Sequence, residues 1–382
     1  MKFAFIIFKY FPYGGVQRDM LRIATDCQSF GHQVTIYTSD WQGPLPENLN
    51  VVVCKAHGLT NHAKYQKLIK SIQTKIQHET FDLVVGFNRM VGLDVYFAAD
   101  SCFLERANTD RAWWYRYTPR FKWFYQAENS IFRADGKCHI LTLTEAEKFK
   151  FQKWYQTPES RFHLIPPFIS AQRFSAVSQL SLSQRKKIRQ EIRTCFGFDQ
   201  DEKIMLLVGS GFKTKGADRA VLAFKSLPFE IQSKSRLVII GQDAANDLKK
   251  LILDLNLEGR VNVLTGRDDI PILMAASDLL IHPARYELAG HVLMEAMASG
   301  LPVITTDRCG YAPYIKKAGA GVVLTSPFDQ QSLNNALLDS FEHKKAQSYR
   351  LAGLKFANNL MDNQLKFAEV EILVEIAKAK HS

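Results

Sequence analysis

Two carboxylates with seven residues between them, Glu287 and Glu295, are the most specific chemical feature of this chain. They lie in Arg285-Tyr-Glu-Leu-Ala-Gly-His-Val-Leu-Met-Glu-Ala-Met-Ala-Ser-Gly300. There an apolar strand ends near Pro283, a loop carries Glu287 and Gly290, and a helix begins close to His291. Ionised carboxylates accept hydrogen bonds from vicinal hydroxyls, so a sugar or a ribose is the natural ligand. The helix start adds free amides and a positive dipole end, which favour a phosphate. The same two acids could instead serve only to offset that dipole. A second loop, Gly209-Ser-Gly-Phe-Lys-Thr-Lys-Gly216, follows the apolar run Ile204–Val208. It is not a Walker A loop, because Ala217 follows Gly216 where that motif needs lysine. It still sets Lys213 and Lys215 among glycines at a strand end, either as a phosphate site or as a solvated basic loop. Gly14-Gly15 occupies the same place after the first strand, ahead of a helix beginning near Val16. Without GxGxxG it is a phosphate approach or a tight turn.

Two further motifs need weighing. Asp199-Gln-Asp201 has the DxD pattern of a metal site, but it precedes a strand, so a surface turn and no metal are expected. Asp110 to Tyr125, DRAWWYRYTPRFKWFY, holds eight aromatics, three of the five tryptophans, and four basic residues against one acid. Such interleaving suits a lipid headgroup boundary through Arg111, Trp113, Trp114, Arg116, Arg120, Lys122 and Trp123. It also suits a core helix with its basic residues outward, or base stacking.

The elements that must hold these residues alternate. Short apolar runs at Phe3–Phe8, His32–Tyr37, Val51–Cys54, Leu83–Gly86, Val95–Ala98 and His139–Thr142 are separated by helical patterns. A second series follows at Ile204–Val208, Leu237–Ile240, Val261–Leu264, Leu279–His282, Val303–Thr306 and Gly321–Leu324. The alternation predicts an α/β protein of two doubly wound, Rossmann-like domains with ligands at the carboxyl ends of strands. Pro166 and Pro167 mark the link, giving domains at 1–167 and 168–350. A helical segment, 351–382, is expected to pack back on the first domain. Thr144 with Glu147 suggests a capping box.

With 382 residues, no disulfide staple is required. The six cysteines lack zinc spacing and suit a reducing compartment. Lys9 interrupts the N-terminal apolar run, which favours a buried strand over a signal peptide, and no apolar stretch is long enough to span a bilayer. A cytoplasmic protein is expected. The net charge of +11 calls for an anionic partner: nucleic acid, an acidic membrane or a phosphorylated substrate. No nucleic-acid-binding motif is present, so a basic nucleic-acid-binding protein is the remote alternative.

The two glycine loops together with Glu-x7-Glu resemble the retaining, nucleotide-sugar-dependent glycosyltransferases of the GT-B type. These have two facing Rossmann-like domains with the active site in the cleft between them. Within that class the chain resembles the bacterial lipopolysaccharide core glucosyltransferases nearly end to end. The segments concerned are KYFPYGGVQRD (9–19), VVGFNRMVGLDVYFAAD (84–100), YQTPESRFHLIPP (155–167), VGSGFKTKGADR (208–219) and GLPVITTDRCGYAPYI (300–315). The resemblance implies transfer of α-glucose from UDP-glucose to a heptose of the inner core, without a metal or other cofactor, by an enzyme resting on the anionic inner face of the inner membrane. Another UDP-sugar, carrying galactose or N-acetylglucosamine, is the alternative donor. By position, Lys215, Gly14 and Gly15 fall to the diphosphate, and Asp19 lies near the donor sugar. Arg173 lines the cleft, Arg267 stands near the uracil, and Glu287 binds the transferred sugar. Ala289, Gly290 and His291 offer backbone amides, Glu295 binds the ribose, and Asp100 belongs to the acceptor side. Two positions depart from the family: Thr214 replaces an arginine, with Lys213 as candidate substitute, and Phe168 stands where a glycine follows the prolines.

Overall fold

The computed structural model describes residues 1–12, 14–58, 60–363 and 367–381. The chain forms two compact units, Met1–Pro166 with Leu365–Ser382, and Pro167–Gln364. The first unit is built on seven strands: β1 (Lys2–Ile6), β2 (Gln33–Thr38), β3 (Asn50–Val53), β4 (Leu83–Gly86), β5 (Val95–Ala98), β6 (His139–Thr142) and β7 (Phe162–Leu164). They pair in the order β3-β2-β1-β4-β5-β6-β7, and every pair is parallel. The second unit has β8 (Lys203–Val208), β9 (Ser235–Ile240), β10 (Val261–Leu264), β11 (Leu279–His282), β12 (Val303–Thr306) and β13 (Gly321–Leu324). Its parallel order is β10-β9-β8-β11-β12-β13. Both are Rossmann-like α/β units.

Parallel sheets covered on both faces need strands that are apolar throughout. β5, Val-Tyr-Phe-Ala, is buried at every position, as are β11 and β12. In the second unit Leu207, Ile239 and Ile281 meet Ala220, Val221 and Phe224 of the Ala217–Lys225 helix in one core. Each sheet reverses direction beside its first strand, since β1 lies between β2 and β4, and β8 between β9 and β11. Such a switch point opens a crevice at the strand carboxyl ends, because the two following connections leave to opposite faces. The loops after β8 and β11 therefore meet, and these carry Lys215 and Glu287.

Some expectations change. β7 was not anticipated: it is a three-residue strand at the sheet edge with a histidine at its centre. The unit boundary lies between Pro166 and Pro167, one residue before the expected 167/168. The C-terminal segment is not one element from 351. The helix His343–Asn363 stays with the second unit, where Arg350 donates to the Gly300 carbonyl at 3.0 Å. The helix Ala368–His381 belongs to the first unit. There Glu369 meets Arg22 at 2.5 Å, Lys380 meets Asp94 at 2.8 Å and His381 meets Asp82 at 2.8 Å. Thr144 caps its helix by accepting the Glu147 N–H, but the Glu147 carboxylate turns to the Cys102 N–H at 3.2 Å. Tyr13, in the first glycine loop, and residues 364–366 and 382 of the C-terminal segment lie outside the described residues.

Candidate active site

The loop after β8 closes into one helical turn, Phe212–Lys215, then turns at Gly216 into the helix Ala217–Lys225. Gly216 has φ +75°, and a Cβ there would collide with the Pro283 carbonyl at the end of β11. Only glycine lets the two loops touch at this point. Asp243 fixes the turn by accepting the Phe212 N–H at 2.6 Å. Of the two lysines, Lys213 is exposed and Lys215 turns inward. The Lys215 ammonium forms an ion pair with Oε2 of Glu287. Burial pulls the Lys215 pKa below its ordinary value, opposed by Cys309 and Asp243.

The loop after β11 is braced on both sides. Arg285 holds Asp218 through two contacts of 2.7 Å and donates to the Lys213 carbonyl at 2.8 Å, while its N–H donates to the Thr214 carbonyl. The Glu287 N–H donates to the Arg308 carbonyl, and its carbonyl accepts from Gly310. The Tyr311 N–H donates to Ala289 at 2.7 Å, and the Tyr311 hydroxyl lies 3.4 Å from the His291 ring. Gly290, φ +92°, forms the N-cap of the helix His291–Ala298 and supplies no side-chain cap. The first amides of that helix are thus left to a ligand or to water. Ala289 and Gly290 are buried just before them. Glu295, one turn on, stands 3.4 Å from Arg173, which brings two separately assigned residues together. His282, the last residue of β11, is fully buried with Nε2 3.5 Å from Oε2 of Glu287. The sequence signal for it was a polar residue closing the apolar run Leu-Leu-Ile before a proline.

Arg267 stands apart from this group at the end of β10, paired with Asp269 at 2.7 Å and 4.9 Å from the Phe196 ring. Asp199 and Asp201 are exposed on the turn before β8, at the end of the strand opposite to Gly209.

In the first unit Gly14 is the N-cap of the helix Gly15–Ser29 and again offers no side-chain cap. A Cβ on Gly15 would have no neighbour within 4 Å, so the fold itself does not require glycine there. Asp19 is one turn further on, half-buried, and its charge reaches Arg22. Asp100 follows β5 and lies 3.8 Å from Arg89. Arg89 also contacts Glu128 at 2.5 Å and donates to the Ser101 carbonyl at 2.6 Å. Sequence reasoning missed Glu128. It is fully buried, accepts the Phe103 and Leu104 N–H groups at 2.7 and 3.0 Å, and also accepts the Tyr155 hydroxyl. Asp100, Arg89, Arg111, Tyr115, Arg120 and Phe124 line a cavity of about 360 Å³.

The basic aromatic stretch is a short 3-10 turn, Trp113–Tyr117, followed by the helix Pro119–Phe132 capped by Thr118. Trp113 and Trp114 are 75% and 58% exposed, and Arg111, Arg116, Arg120 and Lys122 are exposed beside them. Trp123 differs from these six: it is half-buried and packs on Tyr65, with ring centroids 6.3 Å apart. No helix among the described residues is long and apolar enough to cross a membrane.

Two parallel Rossmann-like α/β units, with the Lys215 loop and the Glu287 loop meeting at the switch point of the second, define the class of fold, and comparison with known proteins gives its family. Residues 188–352 match the model of glycosyl transferases group 1, and residues 13–173 match that of glycosyltransferase family 4. The chain belongs to this glycosyltransferase family and has the GT-B fold. It is 37% identical over 361 residues to the lipopolysaccharide glucosyltransferase WaaG of Escherichia coli (strain K12), covering 94% of each chain. A crystal structure of WaaG, a glycosyltransferase involved in lipopolysaccharide biosynthesis, superposes with TM-score 0.88 and 35% identity over 99% of both chains. The mannosylfructose-phosphate synthase of Agrobacterium fabrum is 30% identical over 78% of this chain and 62% of its own length.

Proposed function

We propose that this enzyme transfers an α-glucosyl unit from UDP-glucose to a heptose of the lipopolysaccharide inner core, with retention of configuration. The observation that carries the reading is the Lys215–Glu287 pair at the β8–β11 switch point, beside the uncapped helix at His291. The E. coli relative, named a lipopolysaccharide glucosyltransferase, supports the donor sugar and the acceptor class.

In this reading Lys215 moves from Glu287 to the donor diphosphate. The departing phosphate gathers charge as the anomeric carbon takes on oxocarbenium character, and a preorganised cation with helix amides stabilises that charge. Glu287 then accepts hydrogen bonds from hydroxyls of the transferred sugar, while Glu295, steadied by Arg173, accepts them from the ribose hydroxyls. With phosphate stabilisation assigned to Lys215 and amides, no metal is required, so activity should be unchanged after EDTA treatment and re-addition of magnesium. A rate that depends on the added metal would refute this part. Attack on the same face lets the leaving phosphate accept the acceptor proton, so the reading assigns no separate protein base. Asp100, beside Arg89, is given to the acceptor. The exposed Trp113, Trp114 and their basic neighbours form a contact with the anionic inner face of the inner membrane, since aromatic rings and cations together favour a charged interface.

Mass spectrometry of products from UDP-glucose and a truncated core lipopolysaccharide tests the whole reading. A single added hexose on heptose is expected. Equal turnover of UDP-galactose or UDP-N-acetylglucosamine would remove the glucose assignment, and no sugar transfer would remove the acceptor.

A further inference from the structure

Among the described residues, neither ring nitrogen of the fully buried His282 has a hydrogen-bond partner. Buried polar side chains are nearly always satisfied, and an exception at a functional site points to a partner supplied in another state. The backbone of His282 is not free to move: its carbonyl accepts from Thr305 Oγ1 at 3.1 Å and from the Ala284 N–H at 2.8 Å. Its ring faces the ion pair described above. Nε2 lies 3.5 Å from Oε2 of Glu287, the same oxygen that meets Lys215. Burial, reinforced by the Lys215 charge, pushes the imidazole pKa down to about 3. The neutral ring has one N–H to donate and adds no charge.

These positions bear on what happens to Glu287 when the donor binds. A diphosphate that recruits Lys215 removes the cation from Oε2, leaving an ionised carboxylate in a largely buried loop. His282 is the donor already aimed at that oxygen, a few tenths of an ångström beyond hydrogen-bond distance. We propose that His282 is a positioning residue for the sugar-binding carboxylate. As Lys215 turns to the diphosphate, Nε2–H of His282 takes over Oε2 of Glu287 and leaves Oε1 directed to hydroxyls of the sugar. This rests on the donor reading above and extends it to a residue that itself touches neither sugar nor phosphate. Its consequence is a division of affinity: the sugar part of donor binding depends on His282 and the nucleotide part does not.

Calorimetric titration of the full chain with UDP and with UDP-glucose tests this in wild type, His282→Phe and His282→Gln. In His282→Phe the UDP affinity should stay within about twofold while UDP-glucose weakens about tenfold, the effect of losing one hydrogen bond to a charged group. His282→Gln, whose amide can place an N–H where Nε2 stands, should recover most of that loss. Equal weakening of both ligands, no weakening, or a Gln variant no better than Phe overturns the proposal. Absence of any UDP-glucose binding in the wild type overturns the donor reading as well. A readout independent of the variants' stability comes from wild type carrying 15N-histidine, with the His282 signal assigned by its loss in His282→Gln. The Nε2–H resonance should move downfield on adding UDP-glucose, and an unmoved resonance under saturating donor rejects the relay.

Discussion

At the residue scale the proposed function asks two incompatible things of Lys215. It is held by Glu287, where it neutralises a carboxylate, and that function needs it released as a cation for the diphosphate. Burial, which lowers its pKa, also makes its charge act through a poorly screening medium. Lys215→Ala should therefore keep its secondary structure and lose transfer by about 100-fold or more, the usual effect of removing one preorganised charge-stabilising group. Circular dichroism and initial rates with UDP-glucose measure the two properties separately. Turnover within a few-fold of wild type would remove Lys215 from the phosphate role. Thr214, which lacks the family's arginine charge, is exposed, and its carbonyl accepts from the Arg285 N–H. The adjacent Lys213, also exposed, keeps its carbonyl on Arg285 as well.

The elements carry a different prediction, at the edge of the first sheet. His139 on β6 and His163 on β7 meet ring to ring, Nδ1 to Nε2, at 3.0 Å. Burial lowers both pKa values, with Arg161 adding to the effect at His139 and His139 adding to it at His163. The unfolded chain thus binds protons that the native pair refuses, from about pH 6.5 downward. Native stability should be unaffected by the pair above pH 7 and should fall as the pH drops from 6.5 towards 5. A plot of Tm against pH should be flatter in this range for the His139→Phe, His163→Phe double variant; superimposable slopes would exclude the pair as the cause. The same edge explains what a reader of the sequence could and could not see. Strands such as Val95–Ala98 are legible because burial on both faces demands unbroken apolar runs. β7 is not legible, because an edge strand with His163 at its centre obeys no such demand. Nor is the end of the long C-terminal helix: the sequence from Asn363 to Phe367 has neither glycine nor proline, yet Phe367 adopts φ +77° and packs edge-on against Phe30 at 4.7 Å. In the site, Lys215, Glu287 and Glu295 were legible from loop chemistry at strand ends. Glu128 was not, because Arg89, the group that pairs with it, is remote in sequence.

At the scale of the whole molecule, the proposed membrane contact gives the excess of positive charge a place in the first unit. Arg111, Arg116, Arg120 and Lys122 are exposed along the same stretch as the exposed Trp113 and Trp114. Replacing Trp113, Trp114 and Lys122 with alanine should weaken binding to phosphatidylglycerol vesicles several-fold while sparing turnover of a soluble acceptor. Cosedimentation at low and moderate salt gives the readout, and the electrostatic part should decline as salt is raised. Unchanged vesicle binding would assign the exposed rings another purpose.

The helix Ala368–His381, which supplies Glu369 to Arg22, has a further consequence for how the protein comes into being. A ribosome delivers the first unit's seven strands early, yet their last packing partner emerges only after all of Pro167–Gln364 has been made. The first unit must wait, incompletely covered, through the synthesis of the second, so the order of translation is not the order in which the units are completed.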